Sequence, residues 1–264
     1  MPRHENIDAG REIDWSKTSD DYAEHRPGPP ASFYRRLEVM GIGVSGQRIL
    51  DLGTGTGHLA RTFAGQSCEA SGVDLAAGQI EAAIRLAKDQ GVEVDFRVAP
   101  AEETTHADAS FDVLTANQCL LYFDLPRAIA EMRRVLVPNG EIMVSHFTPL
   151  PRLDPLVAAS EELVLEHNPD WSAADWPGYI PTHPAWSRDD FDMPCFFYYD
   201  EPIPFTQESW RGRMRTLRGI GATLTPTEVA AFDSDLIALL KRTMPQVFTV
   251  LHRIHVQVFR FKSN

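Results

Sequence analysis

The sequence predicts an α/β protein with a doubly wound, mostly parallel sheet, and three observations carry that expectation. From residue 47 to 146, short apolar stretches alternate with helical ones. The first apolar stretch runs into a turn with glycine at alternate positions, Gly53, Gly55 and Gly57, and then into a helix. The chain has 264 residues, 43% of them hydrophobic, enough for one large α/β domain or for one with an inserted subdomain.

The first thirty residues are polar and then proline-rich (Pro27, Pro29, Pro30), which predicts an extended arm or turn. A helix begins near Ser32, with Phe33, Leu37 and Met40 at helical spacing, and ends at Gly41 and Gly43. Arg48–Leu52 reads as the first strand, His58–Ala64 as a helix and Glu69–Asp74 as the second strand. Ala76–Gln90 reads as a helix with Ile80, Ile84 and Ala87 on one side, closed by Gly91. Val92–Val98, Phe111–Ala116 and Glu141–His146 supply strands three to five. A helix over Leu125–Val137 precedes the fifth and is stopped by Pro138-Asn139-Gly140. Such alternation places helices on both faces of a parallel sheet.

After His146 the alternation breaks. Residues 147–190 hold one clear helix, about 154–166, and then Trp171, Trp176, Tyr179 and Trp186 among prolines. Two readings stand: a lid or binding element, or a satellite hydrophobic cluster on the sheet edge. On the first reading Trp176, Tyr179 and Trp186 are substrate-binding candidates. Strand returns at Cys195–Tyr199, followed by helices at about 206–219 and 226–243. The second helix opens with a capping box, Thr225-Pro226-Thr227-Glu228. Thr249–Phe261 alternates as the last strand, the seventh.

Composition narrows the function classes. The net charge of −12 disfavours a nucleic-acid partner. There is no run of eighteen apolar residues and no apolar leader, which predicts a cytoplasmic protein with no membrane partner. Cys68, Cys119 and Cys195 are scattered and odd in number, which fits a reducing compartment. His167, His183, Asp170 and Asp175 are too irregularly spaced for a metal site, and no metal is expected. Arg211, Arg213, Arg215 and Arg218 form a basic stretch with three readings: a solvated or ion-paired helix face, a patch for one small anionic substrate, or a polyanion site. Oligomeric state is not legible.

The glycine turn narrows the ligand. Alternate glycines let the backbone turn tightly and approach a ligand closely, and the following helix offers free N–H groups. The spacing differs from the dinucleotide fingerprint G-x-G-x-x-G, and the turn lacks the Gly-Lys-Ser/Thr ending of a phosphate loop. Asp51, leading the turn, argues against a pyrophosphate there and suits an ammonium or sulfonium group. Asp74 ends the second strand, where a carboxylate can accept both ribose hydroxyls of an adenosine.

These motifs resemble those of class I S-adenosylmethionine-dependent methyltransferases, clearly over about residues 15–146. The resemblance implies a Rossmann-like sheet of seven strands with the last antiparallel, covered at the cofactor site by an arm and helix over 1–46. It also implies a cofactor core over 47–146, a lid or substrate insertion over 147–193 after strand five, and completion of the sheet over 194–264. Asp51, Gly53, Thr54, Gly55 and Gly57 would line the methionine part of the cofactor. Asp74 would hold the ribose, Leu75 would lie against the adenine, and Ala101-Glu102 would read its amino edge, although Pro100 stands where many members carry Asp. Asn117 would face the cofactor amino group. Arg134-Val135-Leu136-Val137-Pro138-Asn139-Gly140 is similar to the family's turn before the fifth strand. Trp15 and Tyr22-Ala-Glu-His-Arg26-Pro27 look like the arm of the trans-aconitate methyltransferase-like group, which implies cofactor contacts for Trp15, Tyr22 and Arg26. Residues 116–124 resemble the same group's substrate segment and make Gln118 and Tyr122 substrate-binding candidates. Leu121 and Tyr122 replace that group's His and Trp, so its substrate does not carry over.

The implied reaction is methyl transfer from S-adenosylmethionine to O, N or C of a small molecule, leaving S-adenosylhomocysteine. It is an in-line displacement in which the protein aligns the reactants and excludes water. Tyr22, Tyr122 and Trp15 can wall the methyl group, or simply pack. A hydroxyl or protonated amine acceptor needs a base; His146, His25 and Tyr22 are the catalytic candidates, and both histidines also admit a structural role. An NAD-type dehydrogenase and a non-catalytic cofactor-binding regulatory protein are the alternatives.

Overall fold

The computed structural model describes residues 7–262. The chain divides into two compact units. One comprises residues up to Pro27, 148–179 and 200–253; the other comprises 28–147, 180–199 and 254 onward.

The second unit carries the alternating part. Helix α2 (Ala31–Val39) leads into β1 (Arg48–Leu52), α3 (His58–Gly65), β2 (Glu69–Asp74), α4 (Ala77–Gln90), β3 (Asp95–Val98) and β4 (Phe111–Asn117). Helix α5 (Leu125–Val135) feeds β5 (Leu136–Pro149) without a break. In the first unit lie α1 (Ser19–His25), α6 (Pro155–His167), α7 (Gln207–Arg215) and α8 (Pro226–Thr243). The long strands β5, β6 (Phe191–Thr206) and β7 (Val247–Phe261) have residues in both units.

The seven strands form one sheet in the order β3-β2-β1-β4-β5-β7-β6. β1 pairs in parallel with β2 on one side and β4 on the other, with Asp51 level with both Gly72 and Thr115. β7 runs against β5: Leu150 N–H donates to the Leu251 carbonyl, while Glu141 pairs with Arg260 at the other end. The chain order reverses between β1 and β4, and in such sheets ligands bind at the carboxyl ends of the strands at that point. One core layer sets Leu50, Leu52, Leu114, Ile142 and Val144 against Ala128, Met132 and Val135 of α5. Asp124 caps α5 by accepting from Arg127 N–H.

The expected α/β class and the antiparallel last strand are present, with corrections in detail. α1 forms where only a polar arm was expected. β3 is shorter than Val92–Val98. α5 ends at Val135 instead of Val137, because Leu136 already pairs with Phe111. β6 is far longer than Cys195–Tyr199, despite Pro194, Pro202 and Pro204; an edge strand tolerates residues without an N–H. α7 stops at Arg215, where Gly221 N–H caps the Arg215 carbonyl. Ile84, placed on the buried side of α4, is 53% exposed, and Ala83 takes that place.

Candidate functional site

The site is built at the carboxyl end of β1. Gly53, Gly55 and Gly57 have φ of +62°, +55° and +76°, a left-handed conformation costly for any residue with a Cβ. At Gly53 a Cβ would also stand 2.8 Å from the Cys119 Cβ. Thr54 N–H donates to the Val73 carbonyl (2.9 Å), which ties the turn to β2.

Two carboxylates organise the turn. Asp51 is 3% exposed; its oxygens accept from the Thr54 hydroxyl (2.7 Å) and the Thr115 hydroxyl (2.6 Å). Burial pushes its pKa up to about 6 against those two hydrogen bonds, and the nearby Asp74 adds to the rise. It therefore sits beneath the turn as an anchor. Asp74 accepts from Gly55 N–H and from Ala76 N–H, both at 2.9 Å. Burial raises its pKa, while the N–H donors of Ala76, Gly55 and Leu75 oppose the rise. The residue after it, Leu75, is 46% exposed, an apolar surface beside an acid.

The other expected residues of the second unit have partners of their own. Ala101 is buried, and Glu102 accepts from Asp124 N–H (2.7 Å) at the start of α5. At the end of β4 Asn117 accepts through Oδ1 from the Ser145 hydroxyl (3.1 Å), and Gln118 turns at φ +59°. Tyr122 lies in a short 3₁₀ turn, Leu120–Tyr122, partly exposed. His146 stacks on His255 at 4.7 Å between ring centroids, and burial pulls its pKa down to about 4, so it is neutral at pH 7.

Trp186 packs against Phe191 and Phe259, the packing alternative for that segment. Trp15, Tyr22, His25, Arg26, Trp176 and Tyr179 belong to the first unit. There the His25 ring lies against Gly212 and 3.8 Å from Asp21, and Tyr179 is 73% exposed. A cavity of about 360 Å³ opens at the opposite, amino-terminal ends of β1 and β2, beside Arg48, Glu69 and Asp95; no candidate residue lines it.

Sequence reasoning missed three participants. Thr115 holds Asp51, and its signal was a lone hydroxyl inside an apolar strand. Cys119 covers Gly53 and donates its S–H to the Leu52 carbonyl. His58, first in α3, bonds the Tyr34 hydroxyl at 3.1 Å. Burial, with Arg61 adding to it, lowers the His58 pKa to about 4 and so keeps a cation away from the positive end of the helix.

Among the described residues no group of three or more His, Cys, Asp or Glu could hold a metal ion. No helix among them is long and apolar enough to cross a membrane.

Sheet order, reversal point and glycine turn together define the fold of class I S-adenosylmethionine-dependent methyltransferases. The chain belongs to the methyltransferase domain family, whose model matches residues 44–189. The uncharacterized methyltransferase YcgJ of Bacillus subtilis is 38% identical over 105 residues, 39% of this chain and 42% of that protein. A demethylmenaquinone methyltransferase of Thermus thermophilus is 34% identical over 128 residues, 47% of this chain and 58% of it. The chain thus spans about half the length of these relatives. The structure of a putative type II methyltransferase from Anaeromyxobacter dehalogenans has the same fold, with a TM-score of 0.57 at 24% identity, over 89% of this chain and 96% of that one. Neither the dehydrogenase nor the regulatory alternative gains support from these likenesses.

Proposed function

We propose that this chain transfers a methyl group from S-adenosylmethionine to a small-molecule acceptor. The carrying observation is the Asp74 carboxylate bonded to Gly55 N–H, which locks an acid of β2 against a left-handed glycine turn of β1. The residues present fit the cofactor: the turn is only partly buried at Gly53 and Gly55, where no side chain screens the backbone, Asp74 offers a carboxylate for ribose hydroxyls, and Leu75 offers an apolar face for adenine.

In this reading Gly53, Thr54, Gly55 and Gly57 bind the methionine part through backbone, with Asp51 anchoring the turn beneath them. Ala101 and Glu102 border the adenine, and Asn117 faces the amino group. When bound, the cofactor supplies an electrophilic methyl on a sulfonium. The protein's part is alignment and exclusion of water. His146 is neutral at pH 7 and is a candidate base for a hydroxyl or ammonium acceptor, though burial makes it a weak one; Tyr22 and His25 are the other candidates. Gln118 and Tyr122, after β4, are the proposed acceptor contacts. The relatives' matched segments cover the cofactor-binding half, so their acceptors do not define this one.

Calorimetry with S-adenosylhomocysteine tests the reading. Binding is expected in wild type and at least about tenfold weaker in Asp74→Ala, which loses one charge-assisted set of contacts worth about 1.5–3 kcal/mol. Equal binding in the two proteins would falsify the assignment of Asp74.

A further inference from the structure

The arginines of α7 divide by helix face. Arg211 and Arg215 share one side of α7 at i, i+4 spacing, and Arg218 lies just beyond the helix end. All three are ion-paired: Arg211 with Asp233, Arg215 with Asp21 and Asp233, and Arg218 with Asp8. Arg213 lies about 200° around the helix from Arg211, at 100° per residue. It is 6% exposed, and no carboxylate pairs with it among the described residues. Among the described residues its guanidinium meets the Met214 sulfur at 3.7 Å and the Trp210 ring at 5.3 Å.

A second cation stands beside it. Arg26 donates from Nη1 to the Thr216 hydroxyl (3.2 Å), and that hydroxyl donates to the Arg213 carbonyl (2.6 Å). The other contact of Arg26 is the Tyr22 ring, 5.0 Å away; it too has no carboxylate partner among the described residues. Burial and then the charge of Arg26 pull the Arg213 pKa down to about 9, while Glu161 and Tyr22 act the other way. Arg213 still carries its proton at pH 7. The Glu161 carboxylate is already taken by Asp175 N–H (2.7 Å).

Two adjacent, unneutralised guanidiniums, one of them buried, are expensive: a buried charge costs several kcal/mol unless paired. Neutral replacements at position 213 would pack against Trp210 without that cost. An oxyanion seated on both guanidiniums removes it, and guanidinium geometry matches carboxylate and phosphate in bidentate fashion.

We propose that Arg213 and Arg26 form a binding site, within the first unit, for a compact oxyanion, carboxylate or phosphate. The site goes beyond the methyl-transfer reading above and gives Arg26 an anion in place of the cofactor contact that the resemblance implied. The middle reading of the basic stretch, a patch for one small anion, thereby narrows to the single arginine that the acids leave alone.

Thermal unfolding of the full chain tests the site, with malonate or inorganic phosphate added and sodium chloride at equal ionic strength as the reference. At about ten times its Kd, the anion is expected to raise the wild-type Tm by about 3 °C. Arg213→Met is expected to lose that shift, and Arg213→Lys to keep part of it. Should Arg213→Met not fold, Arg26→Gln and Arg213→Lys carry the comparison, each with a reduced shift. The malonate and phosphate arms report which oxyanion fits. No shift beyond chloride in wild type, or an undiminished shift in the variants, overturns the site. Parallel calorimetry with S-adenosylhomocysteine separates the two readings. Cofactor binding without an anion shift overturns the anion site alone; an Arg213-dependent shift without cofactor binding overturns methyl transfer alone.

Discussion

At the scale of single residues, the turn after β1 depends on what a few side chains omit or hold. Gly53 combines a left-handed φ with the Cys119 side chain overhead. Gly53→Ala is expected to cost about 1–3 kcal/mol from the backbone alone, with the collision added. Adding Cys119→Gly should recover only the collision part; urea unfolding of the single and double variants measures the split, and full recovery would show that backbone strain is negligible. Thr115→Val removes one of the two hydroxyls on the buried Asp51 carboxylate. It is expected to cost about 1–3 kcal/mol and to push the Asp51 pKa further up, which an NMR titration of that carboxyl would follow. The glycines, Asp51 and Asp74 were legible because their residue types are forced by backbone geometry and charge. Thr115 and Cys119 were not, because what they do depends on which residue lies across the sheet or over the turn.

At the scale of elements, patterns told which segments form and told less about where they stop. The capping box at α8 was readable and is present: Thr225 accepts from Glu228 N–H while the Glu228 carboxylate accepts from Thr225 N–H. Thr225→Ala should lower stability by about 1 kcal/mol in chemical unfolding; no change would mean that tertiary packing alone holds that helix end. Ile84 marks the limit of periodicity. Relative to Ile80, residues 83, 84 and 87 lie at about −60°, +40° and −20° around the helix. The buried stripe centres on 80, 83 and 87, so position 84 falls at its margin, and only the packed neighbours decide which margin is covered. Strand β6 escaped for a similar reason: its prolines argue against a central strand, and whether a strand is an edge is a property of the sheet.

At the scale of the molecule, the protonation of buried groups sets the response to acid. His58, His146, His252 and His255 have folded pKa values of about 4, 4, 3 and 3, all below the ordinary 6.5 through burial. The unfolded state therefore binds their protons first, so the stability they give is full above pH 6.5 and is lost as pH falls toward 4. Asp51 acts in the other sense: with its pKa raised from 3.8 to about 6, its contribution is full below 3.8 and is lost as pH rises through 6. Burial raises Asp74 and Glu161 in the same sense as Asp51 and lowers His106 with the other histidines, so the histidines still outnumber the carboxylates; Tm should fall between pH 7 and pH 5, and Asp51→Asn should steepen the fall; calorimetric scans at both pH values decide it. The sheet order itself was within reach of the sequence, since the alternation and the glycine turn imply a reversal next to β1. The grouping of residues into two units was not, because it joins segments far apart in the chain.

The two ends of that sheet also bear on how the protein behaves in a crowded solution. An edge strand with free N–H and C=O groups is a template on which another chain can grow. Here one edge is β3, only four residues long and carrying the Arg97–Asp95 ion pair. The other is β6, where Pro194, Pro202 and Pro204 each remove a donor. Both ends are thus poor seeds for cross-strand assembly, and a chain with Val at 202 and 204 should form fibrillar aggregate at concentrations where the natural one stays dispersed.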